Sequence, residues 1–190
     1  MLSRPGIWSS QRGFTLFEMF VVAALVMVGS AVALPVTMRM VNNAKGDSAV
    51  VVTAQFLETA RNRAVAERRN MLVTFPTANS VQIDRVEVPG GALTFINSMT
   101  LEGNQEFARD GLPDTPDAFG GPIANAINWT GVAPVMFTSD GSLIDNAGDV
   151  TNGTIFIVRP GFPETGRAVT IWGVTGLLRS WKWRGSGWMQ

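Results

Sequence analysis

The chain divides by the spacing of its apolar residues. From Met19 to Val36 it reads MFVVAALVMVGSAVALPV, eighteen residues without a charge, and Phe14 to Phe17 extend the run toward the N-terminus. As a helix such a stretch reaches most of the way across a hydrocarbon core about 30 Å thick. The pattern predicts one long helix from Phe14 to about Asn70. Pro35 removes a backbone donor and is expected to kink or loosen it. A second weak point is Asn42-Asn43-Ala44-Lys45-Gly46-Asp47-Ser48, a polar patch with a capping-type Asp and Ser. Beyond it Val51, Val52, Phe56, Leu57, Ala60, Ala64 and Val65 recur near helical spacing and predict a stripe lying on a sheet. Arg61, Arg63, Arg68 and Arg69 make the end of this helix basic, which suits the helix dipole.

After Met71 the period changes to two. Met71 to Phe75 reads as a strand stopped by Pro76, and Ser80 to Val86 alternates apolar and polar, with Thr77-Ala78-Asn79 as the hairpin turn. Further strands are predicted at Leu93 to Leu101, Val135 to Thr138, Thr154 to Arg159, Ala168 to Trp172 and Leu177 to Arg184. Residues 102–131 are rich in Gly, Pro and Asp and read as a long irregular segment, of a length usually functional or mobile. One long helix followed by an antiparallel sheet is an α+β layout.

Composition narrows the chemistry. The chain has 190 residues, enough for one compact domain beyond the helix. It contains neither Cys nor His. That excludes disulfides, zinc sites of the usual kind and any Cys–His or Ser–His catalytic arrangement, so the sequence reads as a non-enzyme without cofactor or metal. Fifteen basic side chains balance fifteen acidic ones; loss of residues 1–13 removes Arg4 and Arg12 and leaves 13 against 15. Global charge therefore points to no polyanionic partner.

Within the apolar run Glu18 stands out. A carboxylate at that depth costs on the order of 2.5–3.5 kcal/mol and asks for a partner. A signal peptide would explain Arg4 and Arg12, but its core would be shorter and would not begin with an acid. A plain anchor leaves Glu18 unexplained. Cleavage after Gly13 explains it: the freed amine of Phe14 on a neighbouring copy pairs with Glu18, and two groups costly in lipid become tolerable together.

Gly13-Phe14-Thr15-Leu16-Phe17-Glu18 resembles the processing site of type IV pilins and of the pseudopilins of type II secretion. The spacing of Phe137, Asp140-Gly141, Gly153 to Ile157, Arg167 to Ile171 and Thr175 to Arg179 is similar to the minor pseudopilin GspH and minor pilin FimT group. The resemblance implies a pilin-like α+β fold, a long N-terminal helix packed on an antiparallel sheet domain. It implies cleavage between Gly13 and Phe14 with N-methylation of Phe14, and assembly through Thr15, Leu16, Glu18 and Pro35. The expected organisation is a leader over 1–13, a membrane and assembly segment over 14–38, an amphipathic half-helix over 39–70 and a β-rich domain over 71–190. The implied partners are other pilins or pseudopilins, the prepilin peptidase, an inner-membrane assembly platform and membrane lipid. The implied location is the bacterial inner membrane, with the globular domain in the periplasm and in the filament after assembly. The chain lacks the C-terminal disulfide loop that many pilins carry.

Three other features carry alternative readings. From Arg159 to Gln190 five basic residues face one acid, and Trp172, Trp181, Trp183 and Trp188 lie among them. Cations interleaved with aromatics suit single-stranded nucleic acid, and Arg179, Lys182 and Arg184 are the candidates. FimT-type pilins implicated in DNA uptake carry Gly-Arg-x-Arg; here the stretch is Gly176-Leu177-Leu178-Arg179, with Leu177 in place of the first Arg. The competing reading places Trp181 and Trp183 over the core and turns Lys182 and Arg184 to water. Asp140 to Asp149 offers oxygen ligands at short spacing, but not in the EF-hand pattern, and turn chemistry accounts for it without calcium. Residues 102–149 carry eight acids against Arg109 alone. They read as solvated loops or as a face for another subunit's basic region.

Overall fold

The structure is a computed structural model that describes residues 13–117, 119 and 123–190, with the side chains of 32–35 left aside. Helix α1 runs Leu16–Glu67, 52 residues, and among the described residues ten strands follow. They are β1 (Met71–Thr77), β2 (Ser80–Val86), β3 (Leu93–Thr100), β4 (Ile127–Trp129), β5 (Val135–Phe137), β6 (Leu143–Ile144), β7 (Gly153–Arg159), β8 (Phe162–Trp172), β9 (Leu177–Trp183) and β10 (Trp188–Met189). The fold is α+β, as the pattern predicts, but the strands form two antiparallel sheets rather than one. Their orders are β3-β2-β1-β5-β6 and β10-β9-β8-β7-β4. The chain separates into two compact units, one ending at Met40 and one from Val41 to Gln190.

The polar patch at 42–48 does not interrupt α1, because tertiary partners described below hold it. The loosening expected at Pro35 rests on a side chain outside the described residues, and most of the leader, residues 1–12, lies outside them too. The helix stops at Glu67. Arg68 takes a left-handed conformation with φ 51°, and the Arg69 amide reaches back to the Ala64 carbonyl at 3.2 Å, a Schellman closure.

The packing stripe of α1 differs from the expected one. Val51, Val52 and Val65 are exposed, whereas Ala49, Val50, Thr53, Phe56, Leu57, Ala60 and Ala64 are buried. The buried set follows steps of three and four, the true helical period, and its small residues let the helix lie close on the sheets. Thr53 tolerates burial because its hydroxyl bonds to the Ala49 carbonyl at 2.8 Å. This face joins Val73, Ile83, Phe137, Ile155, Val169 and others in the main core.

The second sheet is covered on its other face as well. Phe156, Val158, Ala168 and Trp181 pack with Leu112 and Ile123 from the irregular segment. That segment is thus a structural cover, stitched on by Glu106 bridging Val158 and by the Ala126 carbonyl accepting the Phe156 amide at 2.8 Å. The double cover explains why β7 is buried along nearly its whole length. β1 continues through Pro76 to Thr77; β4, inside the segment read as irregular and paired to β7, and β6 and β10, two residues each, are strands the pattern did not signal.

Candidate assembly site

Thr15 is the N-cap of α1. Its Oγ1 accepts the Glu18 amide at 3.2 Å, and its carbonyl accepts the Met19 amide at 3.1 Å. Thr15-Leu16-Phe17-Glu18 therefore has the spacing of a capping box, with Glu18 in the first turn, where a carboxylate suits the positive end of the helix. Gly13 and Phe14 precede this cap in exposed chain, and Phe14 is 76% exposed. Leu16, Phe17, Phe20, Leu25, Val26 and Val28 are all more than half exposed, and among the described residues of the apolar window none is buried inside the structure. The Ser30 hydroxyl satisfies itself on the Val26 carbonyl at 2.8 Å, so it asks nothing of its surroundings. The first unit is thus an apolar rod with a capped end and one carboxylate on its first turn.

In the second unit the functional geometry centres on a residue pair that the pattern did not mark. Arg167, in β8, is fully buried, and its Nε donates to Asp47 Oδ1 at 2.7 Å. Its other nitrogens donate to the carbonyls of Gly166 (2.8 Å), Asn43 (3.2 Å) and Glu164 (3.4 Å). Lys182 donates to the second oxygen, Asp47 Oδ2, at 2.6 Å. Asp47 is therefore an ion-pair partner and not a helix cap. Burial pushes its carboxyl up, but the hydrogen bonds and charges of Lys182 and Arg167 outweigh that and hold it below the usual carboxylate value. Gly46 makes the approach possible: a Cβ there would stand 2.8 Å from the Thr165 carbonyl oxygen. Nearby, Arg159 Nη1 donates to Asn42 Oδ1 at 2.7 Å. Four residues of the supposed weak patch are thus bonded to the second sheet or packed on it.

Arg61 joins the far end of the helix to two turns. Its Nε donates to the Gly141 carbonyl at 3.1 Å, and a Cβ on Gly176 would stand 2.5 Å from that nitrogen and 2.7 Å from Cδ of the stem. Gly176 also has φ +62°, so both space and backbone call for glycine. The basic helix end is a set of specific partners more than a dipole complement: Arg63 lies 3.7 Å from Glu67, and Arg85 of β2 lies 3.1 Å from the same carboxylate.

The three nucleic-acid candidates have different fates. Arg179 faces Asp117 at 3.4 Å and stands over the Trp172 ring at 5.8 Å. Lys182 is held by Asp47 and does not simply face water. Arg184 is exposed. Trp181 is buried with its Nε1 donating to Thr170 Oγ1 at 2.9 Å, so it serves the core. Asp117, from the acidic middle, meets a cation of its own chain, as does Asp114 through Arg109 at 2.7 Å.

Turn chemistry accounts for the loop from Asp140 to Asp149. A bond from the Thr138 hydroxyl, with bonds from the Ser142 amide and hydroxyl, lowers Asp140 to about 2. Amides of Val132, Asp149 and Ala147 occupy the Asp145 carboxylate and hold it below its ordinary value. Among the described residues no three acidic side chains converge as a metal site would require.

Comparison with known proteins follows the same lines. A family model described as "Type II transport protein GspH" matches residues 49–175, two-thirds of the chain. A second, "Prokaryotic N-terminal methylation motif", matches residues 8–34. No curated protein matches the sequence. Among solved structures, the type IV minor pilin FimU of Pseudomonas aeruginosa is similar at 17% identity and a TM-score of 0.49, over 76% of this chain and 92% of that one. The minor pseudopilin EpsH from the type 2 secretion system of Vibrio cholerae is similar at 13% identity and 0.48, over 72% and 95%. Scores of this size carry no weight on function, and the assignment rests on the two sequence models.

Proposed function

The chain belongs to the GspH family of type II transport proteins, and we propose that it is a minor subunit of a periplasmic pseudopilus serving protein secretion. It carries the prokaryotic N-terminal methylation motif. The precursor is cut between Gly13 and Phe14 by a prepilin peptidase, and Phe14 is N-methylated. Residues 14–38 anchor it in the inner membrane and later pack side by side in the filament, with Thr15 and Leu16 opening that helix and Pro35 closing its apolar half. The domain from residue 71 onward stays in the periplasm and selects neighbouring subunits. The protein works by assembly, not catalysis.

One observation carries this reading: a capped helix that presents a single carboxylate, Glu18, at the head of an exposed, charge-free apolar rod. A buried or membrane carboxylate needs a cation, and the methylated amine of Phe14 on a neighbouring copy supplies one. A passive anchor has no use for the acid. DNA binding is the weaker alternative, since Arg179 and Lys182 already face Asp117 and Asp47.

The test is complementation in a host lacking this subunit. The wild-type chain restores secretion. Glu18→Ala is expected to be cleaved and to stay in the membrane, but to fail in secretion and in filament recovery. Normal secretion by Glu18→Ala would leave the passive anchor as the better account.

A further inference from the structure

β7 and β8 are joined by a hairpin whose tip reads Arg159-Pro160-Gly161-Phe162-Pro163-Glu164. Pro160 to Glu164 are exposed, and Phe162 belongs to neither core cluster. The tip is held rigidly in this pose. The Gly161 amide donates to Asp110 Oδ2 at 2.7 Å. The Thr165 hydroxyl donates to the Phe162 carbonyl at 2.7 Å and accepts the Arg159 amide at 3.0 Å. The Arg159 guanidinium stands 4.4 Å from the centre of the Phe162 ring. The fold thus presents an apolar ring, two prolines and a cation together on a braced loop.

This tip lies at one definite end of the second unit. Arg159 donates to the Asn42 side chain and Arg167 to the Asn43 carbonyl, so the hairpin reaches the first residues of that unit. Arg184 lies just beyond Lys182 in the direction of the same tip and is exposed. The opposite end is the β8–β9 turn, with exposed Val174, whose Gly176 packs on Arg61 much further along α1. Chain connectivity fixes what is near the tip. Arg39 is the first charge after Glu18 and closes the apolar run. From Met38 to Asn42 the chain spans at most about 14 Å in any conformation. The headgroup layer beside a hydrocarbon core is itself roughly 6 Å thick.

We propose that the β7–β8 tip docks in the phospholipid headgroup layer of the membrane that holds residues 14–38, and keeps the domain on the bilayer before assembly. The inference rests on reading that segment as the anchor. Arg159 and Arg184 meet phosphate, while Phe162 with Pro160 and Pro163 enters the boundary beneath it. The tether selects lipid as the occupant. A tip joined so closely to a membrane segment meets headgroups at an effective concentration that no untethered partner matches. The acids at this end are largely engaged. Asp47 is paired with Arg167 and Lys182, and Asp110 accepts the Gly161 amide, which leaves Glu164 against Arg159 and Arg184.

The chain has no cysteine, so a single introduced one carries a fluorophore alone. The full chain with Pro163→Cys, or with Val174→Cys at the opposite end, is labelled and placed singly in nanodiscs of phosphatidylcholine and phosphatidylglycerol. A nitroxide on the lipid headgroup serves as quencher. Quenching several-fold stronger at 163 than at 174 is expected. Adding Phe162→Ser to Pro163→Cys is expected to remove most of that difference with the circular dichroism unchanged. Equal quenching at both sites in chains that co-elute with the discs, or quenching at 163 that survives Phe162→Ser, would overturn the proposal and leave the anchor standing. A chain that does not co-elute with the discs would overturn the anchor and the proposal together. Shielding of the 163 label that appears only with several copies in a disc would assign the tip to a protein contact and overturn it as well.

Discussion

Asp47 and Arg167, 120 residues apart in the chain, meet at 2.7 Å with the guanidinium wholly inside the protein. The pair ties α1 to β8 at a point where the helix carries the weak helix formers Asn42, Asn43 and Gly46. A buried guanidinium without a carboxylate is costly, so the two partners are not equivalent. Asp47→Ala is expected to destabilise the protein by about 3 kcal/mol, at the low end of the cost of orphaning a buried ion because Asp47 is itself 46% exposed. Lys182→Ala, which leaves the Arg167 contact in place, is expected to cost under about 1 kcal/mol. Urea unfolding of the full chain in detergent separates the two.

Acid sensitivity follows from the same carboxylates. Asp47 and Asp140 both titrate below their ordinary value, Asp140 at about 2. A carboxyl whose folded value is depressed contributes stability above its unfolded value and loses it as pH falls through the folded one. Stability is therefore expected to be level from pH 7 to about 4.5 and to fall from there toward pH 2. Asp140→Asn is expected to flatten part of that fall. A set of unfolding midpoints across this range gives the slope.

Gly46 sets propensity against packing. In an exposed helix Gly→Ala gains roughly 1 kcal/mol. Here the new methyl would stand 2.8 Å from the Thr165 carbonyl oxygen, a backbone atom of the strand that holds Arg167. Gly46→Ala is expected to lower the thermal midpoint despite better helix propensity. A raised midpoint would mean that the helix and β8 are not in close contact.

The C-terminal cations are expected to bind single-stranded DNA weakly. Arg179 and Lys182 sit on carboxylates, so phosphate must compete with existing pairs. No mobility shift is expected at physiological salt, and Arg184→Ala is expected to leave secretion unchanged. A strong shift that weakens steeply with salt would favour the nucleic-acid alternative.

Much of this was legible in the chain because the signals were local. The apolar run, Glu18, the hairpin at Ala78-Asn79 and the period-two strands rest on neighbours within a few residues. What escaped depends on distant partners. Asp47 looked like a cap because its ion-pair partners lie beyond residue 160. A sharper signal was present in Gly166-Arg167-Ala168-Val169, a cation inside an otherwise buried strand, which demands an anion nearby. β6 and β10 are too short to show a period. The helix stripe shifted because exposed Val51 and Val52 look more apolar than the buried Ala49 and Thr53.

The central claim is processing at Gly13 followed by assembly through Phe14 and Glu18. Its most direct test is the intact mass and N-terminal sequence of the protein purified from membranes of a host with its prepilin peptidase. The account predicts a chain that begins at methylated Phe14. A chain that still begins at Met1, or one cut beyond Ala33, would contradict it.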